Sequence, residues 1–245
     1  MEVTPGVHLF GDGHVNWWAV EQGQRLTLVD SGLRGGWRHV PRALAGIGRS
    51  LDDVEAVLLT HAHPDHTGTA EKLRQAGAGV WAHEADEPHV TGAPAVPKLS
   101  NVVGVLGWLR RPSFVQASAH FVRDGLLWPE RVAEVSTFAD GERLDVPGSP
   151  TVLHLPGHTR GSAGLLFEEW DAVFTGDALV THDVYSGRRG PRLSARASNE
   201  DSAAALESLR RIEALTVRHV LPGHGSAWSQ GAEEAARRAV AAGAA

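Results

Sequence analysis

The sequence predicts an α/β fold in which two β-sheets pack face to face with helices on their outer surfaces. Three observations carry this. Short apolar runs of strand character come in clusters, and helical segments fall between the clusters. The second half of the chain repeats the element order of the first, without any short sequence repeat. Many of the strand-like runs end in glycine, aspartate or serine, residues that close a strand and turn the chain. Sheets so placed bury one face against each other and the other beneath helices.

From the N-terminus, VHLF and NWWAV read as strands flanking GDGH, whose Asp12-Gly13 pair suits a tight hairpin turn. LTLVD runs apolar into Ser31-Gly32, and a helix is expected near Trp37 to Gly46. AVLLT reads as a buried strand, TAEKLRQAG as a helix closed by glycine, and VWAHE as another strand. From about 88 to 125 the character changes. TGAPAVPK is a loop rich in proline and small residues. NVVGVLGWLRRPSFVQASAHFVRDG carries apolar residues at helical spacing, with breaks at Gly104, Gly107 and Pro112. This stretch reads as a helical cap inserted into a single domain spanning 1–245, and its breaks are natural flex points for a lid. TVLHLPG, GSAGLLF and AVFTGD are the strands of the second half. SNEDSAAALESLRRIEAL is a helix with a capping box from Ser198 to Asp201. RHVLPGHG is a strand ending in a loop, and GAEEAARRAVAAG is a terminal helix.

At 245 residues the chain is long enough to bury most of its apolar surface in one core. Its 42% hydrophobic and 21% charged residues are ordinary for a soluble globular protein. The net charge of -6 argues against a protein that coats nucleic acid, so a small-molecule substrate is expected and a nucleic-acid partner is not. Cysteine is absent, which excludes disulfides and thiolate metal sites, so any metal rests on nitrogen and oxygen ligands. MEVTPGVHLF lacks the basic-then-apolar pattern of a signal peptide, and no run of about 18 uncharged apolar residues offers a membrane span. A cytoplasmic location is the resulting expectation.

HAHPDH, His61 to His66, crowds three histidines and an aspartate at the end of an apolar run. His61 and His63 share a face on extended chain, and Pro64 stiffens the turn that follows. A sharp strand-to-helix turn divides the cluster into His61 with His63 and Asp65 with His66, the arrangement a two-metal centre needs. His158 in LPGHT, Asp177 in FTGDA and His224 in LPGHG each follow a strand, and strand ends converge on one crevice in open sheet folds. On these three residues alone, turn chemistry behind a glycine is an equal explanation. As ligands, the seven make two sets of three plus one shared, and the two oxygens of Asp177 let it bridge. Imidazole with some carboxylate suits Zn²⁺, with Mn²⁺ or Fe as alternatives. His8, His14, His39, His83, His89, His120, His154 and His219 are expected to be ordinary surface or core residues.

HAHPDH, LPGHT, FTGD and LPGHG, in that order, resemble the metallo-β-lactamase superfamily over the stretch from LTLVDSG to PGHG. The resemblance implies a four-layer αββα sandwich of two mixed sheets with outer helices and metals at one edge. It implies that His61, His63 and His158 hold one metal, that Asp65, His66 and His224 hold the other, and that Asp177 lies between them. Two Zn²⁺ are then the expected cofactors. Asp30 in VDSG looks like the family's aspartate that orients a ligand histidine. The chemistry expected is hydrolysis by a metal-bound hydroxide: two cations about 3.5–4 Å apart lower the pKa of a shared water toward about 7. One metal polarises the scissile carbonyl or phosphoryl oxygen, and Asp65 and Asp177 are the catalytic carboxylates.

The bond cleaved is less legible. β-Lactamases of this superfamily generally lack an aspartate at the Asp177 position, which argues against a β-lactamase-like amide hydrolase. Glyoxalase II-like thioesterases and lactonases share the whole ligand set. The former carry a C-terminal helical domain that has no counterpart in the short segment after His224, and the latter a tyrosine closer to the bridging aspartate than Tyr185. Tyr185 is therefore a candidate substrate contact with an ordinary loop residue as its alternative. In SGRRGPRLSAR, Arg188 and Arg189, with Arg192 and Arg196, are candidates to grip a carboxylate or phosphate, or else a solvated loop. Trp108, Phe114, Trp17, Trp18 and Trp37 are candidates for an apolar acyl pocket, although core packing is the commoner fate of such residues. Diiron redox relatives usually replace the second histidine of the first motif with glutamate, whereas His63 is present here. The expectation is a dinuclear metal-dependent hydrolase of a small thioester, ester or lactone. A phosphodiesterase or nuclease-type hydrolase, amide hydrolysis and a diiron redox protein are its alternatives.

Overall fold

The computed structural model describes residues 1–93 and 107–243. Strands β1 (Glu2–Thr4), β2 (Val7–Gly11), β3 (Asn16–Gln22), β4 (Arg25–Val29), β5 (Val54–Leu58), β6 (Gly79–His83) and β7 (Ser136–Phe138) lie side by side in that order. β1 to β4 are antiparallel neighbours, and β4 to β7 run parallel. A second sheet holds β8 (Thr151–His154), β9 (Ala163–Phe167) and β10 (Ala172–Gly176) as an antiparallel meander. β11 (Val180–His182) and β12 (Arg189–Arg192) form a short ribbon, and β13 (His219–Pro222) joins the second sheet parallel to β10.

Strand alternation makes the layers. Trp18 and Val20 of β3, Val29 of β4 and Leu58 beyond them meet Leu165, Phe167, Phe174 and Leu221 of the second sheet in one buried cluster. Ala19, Leu28, Val57 and Leu59 face the other way, onto helices α1 (Val40–Ala45) and α3 (Ala70–Gln75). On the far side, Val173 and Val220 pack against Ala205, Leu209 and Ile212 of one helix and Ala235 and Ala239 of another. The order is helix, sheet, sheet, helix, the αββα sandwich implied by the sequence. The other helices among the described residues are α2 (Pro64–Thr67), α4 (Glu87–Val90) and α5 (Pro112–Arg123), and the two far-side helices are α6 (Ser202–Glu213) and α7 (Ala232–Ala242). No helix among the described residues is long and apolar enough to cross a membrane.

Several local expectations are refined. The GDGH turn is a four-residue loop, because Gly11 pairs with Asn16 and the Asp12 carboxylate accepts from His14 N and Val15 N at 2.9 and 3.0 Å. The segment expected as one helix near Trp37 is a 3₁₀ turn, Arg34–His39, followed by α1. Pro112 does not break a helix but starts α5, at the position where a missing N–H costs nothing. The cap of α6 is Asp201, which accepts from Ala203 N and Ala204 N at 2.9 and 3.0 Å; Ser198 instead closes a 3₁₀ turn, Arg196–Ser198. Most of TGAPAVPK, and NVVGVL with Gly104, lie outside the described residues.

Glu71 ties α3 to the chain before β7. It accepts from Arg74 Nε and from Ala133 N, both at 2.9 Å, and from Gln75 Nε2 at 2.9 Å. The Arg74 bond leads the effects that hold its carboxyl at about 2, against an ordinary 4.5. The stabilisation is complete above about pH 4.5 and is lost as the pH falls toward 2. Glu71→Gln is expected to cost about 1 kcal/mol at neutral pH by chemical denaturation, and the gap to wild type should close as the pH falls through that window.

Candidate metal centre

Parallel pairing brings the functional residues to one edge. Asp30 follows β4 and Thr60-His61 follow its parallel neighbour β5, while Asp177 follows β10 and His224 follows its parallel neighbour β13. The two sheet ends are tied directly: Ala163 N donates to Thr60 O at 2.8 Å, and Asn16 N to Gly223 O at 2.8 Å. Asn16 Nδ2 also donates to Pro222 O and Gly225 O at 2.9 and 2.7 Å, holding the loop that carries His224. Two glycines permit the approach. A Cβ on Gly176 would meet Thr60 Oγ1 at 2.3 Å, and one on Gly223 would meet Asp177 Oδ1 at 2.4 Å.

The structure brings all seven expected ligand residues together. One nitrogen from each of His61, His63 and His158 falls within 4.8 Å of the others, and the same holds for single donor atoms of Asp65, His66 and His224 and of His61, His66 and Asp177. The rings of His61, His63 and His158 stand nearly perpendicular to one another, at 81° to 83°, with centroids 4.6 to 4.8 Å apart. Asp177 Oδ2 lies 3.4 Å from His158 Nε2 and 3.2 Å from His224 Nε2, and its Oδ1 lies 3.6 Å from His66 Nε2. Asp177 thus faces both groups. His61 Nε2, His66 Nε2 and Asp177 Oδ1 are buried without a hydrogen-bond partner. Buried polar atoms are rarely left so, and three of them aimed into a nest of imidazole and carboxylate fit a pair of cations.

The far side of four rings is anchored. His66 Nδ1 donates to Asp30 Oδ2 at 2.8 Å, and Thr60 Oγ1 donates to the same carboxylate and receives His61 Nδ1 at 3.1 Å. His158 Nδ1 meets Asn199 Oδ1 at 3.0 Å, and His224 Nδ1 meets His14 O at 2.5 Å. Each anchor fixes the tautomer that turns Nε2 toward the centre. Asp30 takes a left-handed φ of 60°, which aspartate tolerates better than most residues.

Protonation follows from the charges. Burial lowers His61 well below its ordinary value, helped by the neighbouring imidazoles, and burial with His63 lowers His158 to about 4. Burial also works against the charged form of His66, yet Asp30, Asp65 and Asp177 outweigh it and raise the group to about 9. His224 is raised in the same way by Asp177 and Asp65. Burial would raise Asp65 and Asp177, but His66 and His224 hold both carboxyls low. His61 and His158 are therefore neutral and ready to donate lone pairs, while a cation entering the second set displaces protons from His66 and His224.

Five of the seven residues, with His61 and His66 behind them, open on a cavity of about 1210 Å³. Trp108, Phe114, Phe121, Val122, Leu126 and Tyr185 form its apolar side. The Tyr185 ring lies 5.5 Å from Phe114 and 5.7 Å from Trp108, and burial, with Asp65, Asp177 and Asp183, pushes its hydroxyl up, so it is a neutral donor. Trp17 and Trp18 are core residues, and Trp37 packs on the outer helical layer with Lys72 Nζ 5.6 Å from its ring. Arg188 and Arg189 are exposed and do not line the cavity. The Asp183 carboxylate holds the turn before them, accepting from Tyr185 N at 3.1 Å, and leaves both arginines on the solvent side. The cavity arginine among the described residues is Arg160, 3.7 Å from Glu200. Sequence reasoning missed Arg160, Thr60, Asn199, His182 and Asp86, and it read His14 and His89 as ordinary. His14 supplies its carbonyl to His224, and His89 and His182 line the cavity. Thr60 and Arg160 flank motif residues in the chain, which is the signal that was available.

Gly223→Ala places a methyl group against Asp177 Oδ1 and against Cε1 of the His66 ring. The purified variant should hold less metal than wild type by elemental analysis, and retain its secondary structure by circular dichroism.

The metallo-beta-lactamase superfamily model matches residues 10–224. An uncharacterised protein of Mycobacterium leprae is 33% identical, covering 86% of this chain and 85% of its own. The human acyl-coenzyme A thioesterase MBLAC2 is 26% identical, over 85% of this chain and 72% of its own. The solved structure of TTHA1623 in a di-iron-bound form superposes with a TM-score of 0.64 at 28% identity, covering 93% of this chain and 96% of that one. With a family match over most of its length and the donor cluster at the matching motifs, this chain belongs to the metallo-β-lactamase superfamily.

Proposed function

We propose that the chain is a dinuclear metal-dependent hydrolase of small acyl substrates, a thioester or an ester. One observation carries the acyl reading: the nest of donors opens on a cavity whose other side is apolar and aromatic. An acyl chain buries itself on such a wall while its carbonyl reaches the donors. The human thioesterase named above, a distant relative, supports a thioester as the bond cleaved. Zn²⁺ suits the imidazole-rich set, and the di-iron form of TTHA1623 makes iron the alternative.

His61, His63 and His158 would hold one ion, Asp65, His66 and His224 the other, with Asp177 shared. When bound, the metal pair supplies Lewis acidity toward the scissile carbonyl and makes water nucleophilic near neutral pH. Asp65 is kept ionised by His66 and His224. It is too weak a base to retain a proton, so its part is to accept a hydrogen bond from water and aim it. Tyr185, a neutral hydroxyl among the aromatic residues that line the cavity, would steady the carbonyl oxygen. Arg160 at the cavity edge would meet the polar leaving group.

The test is a series of acyl thioesters and esters of increasing chain length, assayed with metal-loaded and chelator-stripped protein. kcat/KM should rise about threefold to fourfold per methylene until the wall is filled, from about 0.8 kcal/mol per buried CH₂. Phe114→Ala should flatten that rise. Stripped protein should be inactive and should recover on adding metal. Full turnover without metal, or turnover of phosphodiesters alone, would contradict the reading.

A further inference from the structure

Asp86 takes no part in the donor nest, yet it is 1% exposed and its carboxylate reaches three donors on two separate loops. Oδ2 accepts from Ala62 N at 2.9 Å and from Thr159 Oγ1 at 2.6 Å, and Oδ1 accepts from Gly161 N at 2.8 Å. Ala62 lies between His61 and His63, and Thr159 follows His158. One carboxylate is therefore bonded to residues next to all three histidines of the first set. Those histidines come from opposite sheets, since His61 and His63 follow β5 and His158 follows β8. The Asp86 backbone is itself fixed, its N bonded to His83 O at 2.9 Å and its O accepting from His89 N at 3.0 Å at the start of α4. The approach is as close as a glycine allows, because a Cβ on Gly161 would meet Asp86 at 2.6 Å.

We infer that Asp86 is a positioning residue that sets the separation of the His61–His63 turn from the His158 loop, and so the affinity of the three-histidine site alone. The inference rests on the metal-centre reading proposed above. The second set does not depend on this clamp, because His66 is anchored by Asp30 and His224 by the His14 carbonyl. A carboxylate is required because both oxygens accept and neither donates. An asparagine would turn its NH₂ toward the N–H of Ala62 or of Gly161.

The test is calorimetric titration of metal-free protein with Zn²⁺, for wild type, Asp86→Asn, Thr159→Val and Thr159→Ser. Wild type should take up two ions. Asp86→Asn should weaken one of them tenfold to a hundredfold and leave the other unchanged. Thr159→Val should weaken the same ion by a smaller factor, and Thr159→Ser, which keeps the hydroxyl, should match wild type. Co²⁺ spectra would assign the weakened ion to the three-histidine site, the one richer in nitrogen. Thr159→Val keeps the experiment decisive should Asp86→Asn fail to fold. Unchanged affinities, or equal weakening of both ions, would overturn the clamp while leaving the metal centre intact. A wild-type protein that binds no metal would overturn the metal-centre reading itself.

Discussion

Asp177 is a buried carboxylate with three imidazole nitrogens 3.2 to 3.6 Å away, and the rest of the molecule depends on that placement. An ionised group withdrawn from water costs several kcal/mol unless positive charge faces it. Here the compensation comes from both halves of the sandwich. The charged His66 arrives from the first sheet and the charged His224 from the second, with the neutral His158 beside them. The sheets must therefore meet at one edge with their strand ends in register, and a shift of a residue in either would separate the carboxylate from its partners. Asp177 Oδ1 and the inward nitrogens of His61 and His66 have no hydrogen-bond partner among the described residues. That is the signature of a place built for cations.

The surrounding architecture follows from this constraint. Between the sheets lies a dry core of large side chains, Trp18, Phe167 and Phe174 among them, which holds the layers rigidly. At the edge the packing reverses to small residues, with Gly176 and Gly223 letting backbone approach the donors. The rings are then turned by hydrogen bonds from outside the nest, supplied by Asp30, Thr60, Asn199 and the His14 carbonyl. The helix Pro112–Arg123 brings Phe114 and Phe121 beside the centre, with the Phe121 ring 6.4 Å from that of His224. A polar reaction centre and an apolar wall thereby share one cavity.

Much of this was legible in the chain, for a physical reason. The ligands of HAHPDH are dense and sit where a strand stops, so they could be read directly, whereas the three glycine-flanked motifs gained their meaning only from the family resemblance. The layers were legible because uninterrupted apolar runs such as WWAV and AVLL report strands buried on both faces. What escaped depends on tertiary distance. Asp86 lies in VWAHEADE as one acid among several, and nothing local marks its reach to Ala62 and Gly161. Asn199 was read within a helix cap, although its carbonyl oxygen faces His158. Arg188 and Arg189 stood out as a dense basic run, but the turn held by Asp183 leaves them outside the cavity, and the less conspicuous Arg160 lines it. The tryptophans divided between core and cavity according to strand or helix face, which composition does not encode.

The most direct measurement is a crystal structure of protein grown with Zn²⁺, with anomalous differences recorded on either side of the zinc absorption edge. Two peaks per chain should appear, one among His61, His63 and His158 and one among Asp65, His66 and His224, with Asp177 between them. A single peak elsewhere, or none, or density that places Asp177 and His224 away from the clustered imidazoles, would contradict the account.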